Sequence, residues 1–244
     1  MVIRNIVFGL CGESKRFYDE GYIVPKYLIH YNNLSMLEHS VKTLRVPGDL
    51  WFVVKEKHLQ EFDFLESFLH SLGGKIITCN KDTGGAAETL LLTEGHIDED
   101  KPLLSVNCDQ YMRWDESFFI NSMVNEPDTC WLPTFKANNP SYSYVKTDEN
   151  GLVTDIKEKE VISNDATVGI YHWSKAKFFF RDAKQMIADG YKENNEYYIA
   201  PVYKYSIKNG LTVRKFEVKE NEFWPVGTPE ELKAFKNNGL HRQA

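Results

Sequence analysis

The sequence predicts a single α/β domain over residues 1–244, with a mainly parallel central sheet in its first half and a mixed sheet in its second half. Up to about residue 130, short apolar runs alternate with segments of helical periodicity, the rhythm of parallel strands joined by crossover helices. From about residue 131 onward the runs follow one another with turns between them, which favours antiparallel pairs. A chain of 244 residues with 42% hydrophobic content can bury one substantial core, so no further domain is required.

Composition and charge argue against several classes of protein. The 29 basic and 35 acidic residues give a formal net charge of −6, and without a long basic run this argues against a nucleic-acid-binding protein. No apolar stretch approaches the ~20 residues of a membrane span, and the first residues lack the apolar core of a signal peptide, so we expect a cytoplasmic protein without a membrane partner. Four cysteines without paired spacing are expected to be buried reduced thiols, forming neither a disulfide framework nor a zinc site: Cys11, Cys79, Cys108 and Cys130.

In the first half, four apolar runs are predicted strands and the segments between them include helices. The strands cover residues 6–8, 51–54, 76–77 and 103–106. Ser35 is expected to cap a helix that reaches Leu44, and apolar residues spaced by three or four predict an amphipathic helix over 59–72 that Gly73 ends. Ligands of such sheets bind beyond the carboxyl ends of the strands, so the loops after these runs are the first candidates for a site.

The loop after the first strand carries the strongest signal, in the run G-L-C-G-E-S-K-R-F that begins at Gly9. Glycines directly after a strand let backbone N–H groups approach a ligand, and Lys15, Arg16 and Lys26 add positive charge beside them. In an acidic chain this clustering predicts an anionic ligand such as a triphosphate. The residue order is not that of a Walker A or dinucleotide-binding loop, so a turn with solvated charges remains the alternative.

Two further segments follow predicted strands. Gly84, Gly85 and Ala86 open a helix with almost no side-chain bulk, so a flat group could lie against the backbone; close helix–sheet packing is the alternative. Asp109 follows the fourth strand, and a carboxylate at this edge of a parallel sheet suits Mg²⁺, whereas a turn or cap carboxylate is the plain alternative.

The second half has the pattern of a hairpin followed by further strands and helices. The hairpin covers residues 142–156 with its turn at 148–151, and a strand is predicted over 166–171. A helix over 176–187, a second helix ending at Lys208 and a last strand over 212–218 follow. Thr228 and Glu231 then form a capping box around Pro229, which predicts the start of the final helix.

Four motifs in this order resemble the nucleotidyltransferase family that makes nucleotide sugars and related CDP-alcohols. They are C-G-E-S-K-R-F followed by P-K, the segment G-G-A-A-E-T, the run N-C-D that ends at Asp109, and the closing G-T-P-E-E-L. The resemblance covers nearly the whole chain and implies a three-layer, Rossmann-like (GT-A-like) fold, with a nucleotide-binding half over about 1–130 and an acceptor-binding half over about 131–244. The chain departs from the family pattern at Cys11 (usually alanine), at Ser14 (usually glycine) and at Pro225, where many members carry a second metal-binding aspartate.

The resemblance implies transfer of a nucleoside monophosphate from an NTP to a phosphorylated acceptor, with release of pyrophosphate and with Mg²⁺ as cofactor. It gives catalytic roles to Arg16, Lys26 and Asp109, and makes Asp109 the metal ligand. The nucleotide would be held by the first loop and the glycine–alanine segment, namely Cys11, Gly12, Glu13, Ser14, Lys15, Gly84, Gly85, Ala86 and Glu88. The acceptor would be held by Glu158, Lys159, Asn164, Gly169 and Tyr198. Readout of the base by the backbone favours CTP, UTP or dTTP, and a purine nucleotide is not excluded.

Several alternatives stay open at this point. The acceptor is a sugar 1-phosphate, phosphocholine or another small phosphorylated metabolite. The product is expected to serve surface (capsule) polysaccharide biosynthesis. The oligomeric state is open, and a homo-oligomer is one of the alternatives. Glu222 is a substitute metal ligand or an exposed glutamate. A glycosyltransferase of the related nucleotide-sugar-binding fold fits part of the pattern, since the run ending at Asp109 is close to Asp-x-Asp; a non-catalytic nucleotide-binding regulator is the other alternative.

Overall fold

Strands and helices alternate along residues 4–237, the part of the chain that a computed structural model describes. The strands are β1 (Arg4–Leu10), β2 (His30–Tyr31), β3 (Leu34–Ser35), β4 (Gly48–Lys55), β5 (Gly74–Cys79), β6 (Leu103–Val106), β7 (Gln110–Met112), β8 (Cys130–Lys136), β9 (Ser143–Thr147), β10 (Val153–Glu158), β11 (Asp165–Thr167), β12 (Ile170–Trp173), β13 (Val213–Glu217) and β14 (Phe223–Pro225). The helices are α1 (Lys15–Asp19), α2 (Met36–Leu44), α3 (Glu56–Glu61), α4 (Leu65–Ser71), α5 (Ala86–Leu91), α6 (Glu116–Asn125), α7 (Ala176–Ala188), α8 (Val202–Lys208) and α9 (Pro229–Asn237), with a 3₁₀ turn at Lys26–Leu28. Residues 1–3 and 238–244 of the predicted domain lie outside the described range.

One ten-stranded sheet connects the two halves of the chain. Its order is β10-β9-β11-β8-β12-β6-β1-β4-β5, and β13 also pairs with β8. β1 lies parallel to both β4 and β6, and β4 lies parallel to β5, which confirms the predicted α/β class. β12 is antiparallel to β6 and joins the mixed half directly to the parallel half. The mixed strands therefore continue the first sheet, where the sequence suggested a separate second region.

Two predicted elements are interrupted. The helix predicted over 59–72 is two helices, α3 and α4, because Phe62 adopts an extended conformation between them. The apolar spacing continues across the break, which is why the sequence pattern did not reveal it. The strand predicted over 166–171 divides into β11 and β12 at Gly169, whose φ of +82° lies in the region that favours glycine. The sequence analysis did not predict α1 or α6.

Apolar layers cover both faces of the sheet. Along β1, Val7 belongs to one buried cluster, while Ile6 and Phe8 belong to another on the opposite face. Each of these side chains is at most 3% exposed, and full burial of such a side chain stabilises a fold by about 1.5–3 kcal/mol. Burial on both faces produces the predicted three-layer architecture and leaves the strand ends for the site. No helix in residues 4–237 is long and apolar enough to span a membrane.

Candidate active site

A cleft of about 660 Å³ lies beyond the carboxyl ends of the parallel strands. One wall comes from the loop after β1, the start of α5 and the residues after β6, and the other from the second half of the chain. The walls include thirteen of the residues singled out in the sequence: Cys11, Gly12, Glu13, Ser14, Arg16, Lys26, Gly84, Gly85, Ala86, Asp109, Glu158, Gly169 and Tyr198. Parallel strands end at the same edge, so residues far apart in sequence meet here.

The first loop has the left-handed turn that glycine usually supplies. Ser14, directly before α1, has φ 55° and ψ 20°, a conformation that costs a non-glycine residue roughly 1–2 kcal/mol. Its hydroxyl accepts a hydrogen bond from the backbone N–H of Lys26 at 2.9 Å, and its carbonyl accepts one from Phe17 N at 2.9 Å. The serine thus joins the loop to the Pro25–Lys26 segment, an interaction that glycine does not provide.

Lys26 and Asp109 meet at the centre of the cleft. The Lys26 Nζ atom lies 2.6 Å from Asp109 Oδ2, and both side chains are largely buried. Burial alone would lower the pKa of Lys26, but the carboxylate of Asp109 outweighs it and the pKa is raised, so the ammonium stays charged. Val226 N donates to the Asp109 carbonyl at 3.0 Å, and a Cβ on Gly227 would lie 2.6 Å from Asp109 Oδ2. The closing motif therefore packs closely against Asp109, and a side chain at position 227 would have to displace the Asp109 carboxylate.

The two cations at the start of α1 point in different directions. Arg16 lines the cleft, whereas Lys15 lies outside its walls and forms an exposed ion pair with Asp19 at 2.8 Å. Neighbouring residues on an α-helix differ by about 100° in direction, so only one of the two can face the cleft. This placement puts Lys15 outside the cleft wall, and its contact with the nucleotide stays a prediction.

The glycine–alanine segment serves packing and also lines the cleft. Gly85 has φ +146°, and a Cβ there would lie 2.5 Å from the carbonyl oxygen of Tyr197. Tyr197 also pairs with the segment, donating to Gly84 O and accepting from Ala87 N, both at 2.9 Å. Glu88 is not part of the cleft wall; its carboxylate accepts from Gly84 N at 2.5 Å and holds the turn. Glu88 thus supports the segment from outside the cleft wall, and its contact with the nucleotide stays a prediction.

The opposite wall carries a carboxyl group with a raised pKa. Burial, together with the charges of Glu193 and Glu196, raises the pKa of Glu158 to about 7, although a hydrogen bond from the Ser143 hydroxyl lowers it. Next to it, Lys159 has φ 56° and its ammonium contacts the Tyr198 hydroxyl, 4.5 Å from the ring centre. Tyr198 lines the cleft, while Lys159 adjoins the cleft through Tyr198.

Two other predicted acceptor residues differ in placement. Gly169 lines the cleft, and a Cβ there would lie 2.6 Å from the Asn107 amide nitrogen, so a glycine is required. Asn164 is exposed and outside the cleft wall, in the connection between β10 and β11, where its carbonyl accepts from Ala137 N at 3.1 Å. Asn164 therefore lies apart from the cleft wall, and its contact with an acceptor stays a prediction.

A family model described as nucleotidyl transferase matches residues 10–238. The chain belongs to the nucleotidyl transferase family. No protein among the curated ones that were compared with the chain matches it significantly.

Solved structures of similar fold cover nearly all of this family member. A nucleoside-diphosphate-sugar pyrophosphorylase from Vibrio cholerae RC9 is 24% identical with a TM-score of 0.80, over 95% of this chain and 99% of the other. The inositol-1-phosphate CTP transferase from T. maritima is 17% identical with a TM-score of 0.77, over 100% and 98%. A UDP-glucose pyrophosphorylase, solved with UDP-glucose, is 15% identical with a TM-score of 0.74, over 99% and 100%. At these identities the likeness establishes the fold.

Asp109 is the candidate protein ligand for a divalent ion in this nucleotidyl transferase. Within residues 4–237 no group of three or more His, Cys, Asp or Glu side chains could hold a metal ion. Pro225 lines the cleft opposite Gln110 and offers no carboxylate. Glu222 is outside the cleft wall and its carboxylate accepts from Lys219 N at 3.0 Å, which argues against it as a substitute ligand. Mg²⁺ commonly takes one or two carboxylates plus phosphates and waters, so Asp109 fits an ion that is bound together with a triphosphate.

Some wall residues of the nucleotidyl transferase site were not found by the sequence analysis. Tyr142 lines the cleft and donates to Glu231 Oε1 at 2.8 Å. Glu231 also accepts from Thr228 N at 3.0 Å, so the predicted capping box is present and both of its members belong to the cleft. Ser141 and Ser143 line the cleft beside Tyr142, and the S-Y-S-Y run at 141–144 was the available sequence signal.

Proposed function

We propose that this protein transfers a nucleoside monophosphate from an NTP to a small phosphorylated acceptor and releases pyrophosphate. The observation that carries the proposal is the Lys26–Asp109 pair, 2.6 Å apart in a cleft that has Arg16 on one wall and Glu158 on the other. Family membership supports nucleotidyl transfer over glycosyl transfer. The cations near Asp109 support the same choice, because a departing pyrophosphate needs more positive charge than a departing nucleoside diphosphate does at this position.

The reaction requires positioning more than proton transfer. An oxygen of the acceptor's phosphate attacks the α-phosphorus of the NTP; the new O–P bond forms as the bond from the α-phosphorus to the bridging oxygen breaks. The attacking oxygen is already an anion, so no general base is needed. Both reactants are negatively charged, and catalysis therefore depends on holding them in line and on neutralising charge.

The cations of the cleft suit distinct parts of this reaction. Lys26, which Asp109 keeps charged, is suited to neutralise the reacting phosphate. Arg16, on the loop after β1, is suited to hold the β- and γ-phosphates and the departing pyrophosphate. Asp109 would hold Mg²⁺, which supplies further charge neutralisation when bound.

The start of α5 is the proposed base site. Gly85 and Ala86 line the cleft, while the N–H groups of Gly84 and Ala87 are bonded to Glu88 and Tyr197. We expect the base of the nucleotide to contact the backbone at Gly85 and Ala86. The opening there is narrow and favours pyrimidine bases, which are smaller than purines. CTP, UTP or dTTP is therefore the preferred donor.

The opposite wall is suited to a phosphorylated acceptor that carries hydroxyl groups. Glu158, Ser143 and Tyr171 present hydrogen-bonding groups to the cleft, and Lys159 adds positive charge behind Tyr198. Substrates in the names of the similar structures, inositol 1-phosphate and nucleoside-diphosphate sugars, agree with such an acceptor. A nucleotide-activated product would be the donor for a later transferase, and surface polysaccharide synthesis is the proposed use.

A pyrophosphate-release screen tests the proposal. ATP, GTP, CTP, UTP and dTTP are each combined with Mg²⁺ and with sugar 1-phosphates, inositol 1-phosphate or phosphocholine. We expect release with a pyrimidine nucleotide and one acceptor class, lost in Lys26→Met and kept in the matched control Lys177→Met, whose ion pair with Asp100 lies outside the cleft wall. Release of nucleoside diphosphate from a nucleotide sugar would support a glycosyltransferase, and NTP binding without turnover would support a regulator.

A further inference from the structure

An ion-paired lysine joins the two loops of the proposed nucleotide site. Lys55, at the end of β4, contacts the carboxylate of Glu13 in the loop after β1, and its Nζ lies 3.0 Å from Asp82 Oδ1 in the segment before α5. The lysine side chain is 13% exposed, whereas Glu13 and Asp82 are 75% and 87% exposed. The mostly buried ammonium of Lys55 thus connects the exposed carboxylates of Glu13 and Asp82, which belong to two different loops.

Glu13 lies where a carboxylate without an ion-pair partner would oppose the binding of a polyanion. Glu13 lines the cleft between Gly12 and Ser14, in the loop that would cradle a triphosphate. A free carboxylate there would repel the triphosphate and offset the attraction of Arg16. Burial alone would lower the pKa of Lys55, but the two acidic partners raise it, so the lysine keeps its charge near neutral pH.

We propose that Lys55 is a positioning residue that cancels the charge of Glu13 and holds the triphosphate loop and the base loop in register. The inference rests on the proposed nucleotidyl transfer, and it assigns Lys55 no contact with the substrate. Lys55 is absent from the cleft wall, while its partner Glu13 and Thr83, the neighbour of Asp82, belong to it.

Equilibrium binding to the full chain tests the inference, with inorganic tripolyphosphate and with UTP, CTP and dTTP, each in the presence of Mg²⁺. Lys55→Met should weaken binding of tripolyphosphate by about three- to tenfold, the size expected for one uncompensated charge in partly solvated surroundings. The defect should shrink at high salt, because exposed charges are screened. Lys55→Arg should restore binding, and Lys177→Met should leave it unchanged.

A double variant separates charge cancellation from a general structural role. Adding Glu13→Gln to Lys55→Met should recover the binding of tripolyphosphate, since the uncompensated charge is then gone. Asp82→Asn should weaken binding of the best nucleotide without weakening that of tripolyphosphate, because Asp82 holds the base loop and its loss leaves Lys55 paired with Glu13. Lack of recovery in the double variant, with wild-type melting temperatures for both proteins, would overturn the inference.

The proposed reaction and this inference fail in different ways. If the wild-type protein binds tripolyphosphate and a nucleotide but releases no pyrophosphate, nucleotidyl transfer is wrong and the role of Lys55 in binding stands. If pyrophosphate is released and Lys55→Met binds both ligands as the wild type does, the role of Lys55 is wrong and the reaction stands.

Discussion

Replacing Glu158 with glutamine should stabilise the protein while it damages the acceptor wall. The pKa of this carboxyl is raised from its ordinary value of 4.5 to about 7, first by burial and then by the charges of Glu193 and Glu196. A buried carboxyl of this kind is costly to keep ionised at neutral pH, whereas a glutamine of similar shape carries no charge. The Ser143 hydroxyl can donate to either side chain.

The sign and size of the expected change in the free energy of unfolding follow from the linkage between protonation and folding. Between pH 4.5 and 7 the folded protein retains a proton on Glu158 that the unfolded chain has released, so the stability contributed by this group falls as pH rises through that window. The full cost is present above pH 7, and at ~1.4 kcal/mol for each pKa unit it is about 3 kcal/mol. Glu158→Gln should therefore raise the free energy of unfolding by about 2–3 kcal/mol at pH 8 and by near zero at pH 4.5.

Urea unfolding of both proteins at several pH values between 4.5 and 8 measures this difference. Contributions from other titrating groups cancel in the comparison of variant and wild type. Glu66→Gln, which changes an exposed glutamate on α4, is the matched control and should show no pH-dependent gain. The KM for the acceptor should rise in Glu158→Gln at pH 8. A variant that is no more stable than the wild type at pH 8, or whose advantage grows toward acid, would refute the reasoning.

Three further outcomes are expected. Arg16→Ala should lower kcat/KM for the NTP more than tenfold, since one charge-assisted phosphate contact is worth at least ~1.5 kcal/mol; an unchanged value would remove Arg16 from the site. Asp109→Asn should abolish Mg²⁺-dependent turnover while the protein stays folded, and calorimetry should find weak Mg²⁺ binding to the nucleotide-free wild type; tight binding that survives the substitution would misplace the metal. His172 is buried and its pKa is lowered to about 3, by burial and then by Arg4, so the stability it contributes is lost as pH falls below 6.5. His172→Phe should remove about 2 kcal/mol of the loss in unfolding free energy between pH 7 and pH 5, and an equal loss in both proteins would contradict this assignment.

Local patterns predicted the strands and the loops because their signals are contained in short segments. The apolar run of β1, the glycines after it and the capping box at Thr228 each depend on neighbours within a few residues. The position of Asp109 was also predictable, because it follows β6 and parallel strands end at one edge of the sheet.

Features that depend on the orientation of a side chain, or on contacts between residues far apart in sequence, were not predictable from local patterns. Lys15 and Arg16 are adjacent cations, and only the orientation of α1 decides which one faces the cleft. Glycine at position 85 is required by the backbone of Tyr197, more than a hundred positions away in sequence. The contacts of Lys55 join three separate segments, and an isolated lysine at a strand end gives no sign of them.

The absence of a carboxylate at Pro225 has a consequence for the order of binding. If Asp109 is the direct protein carboxylate, as proposed, then its ion pair with Lys26 would leave little for a hydrated Mg²⁺ ion in the free protein. A triphosphate supplies the missing oxygen ligands, so metal and nucleotide should each raise the affinity of the other by the same factor, as linkage requires. The nucleotide would then bind as its metal complex, and because that complex is still a net anion, Lys26 and Arg16 would have to offset its repulsion of the acceptor's phosphate.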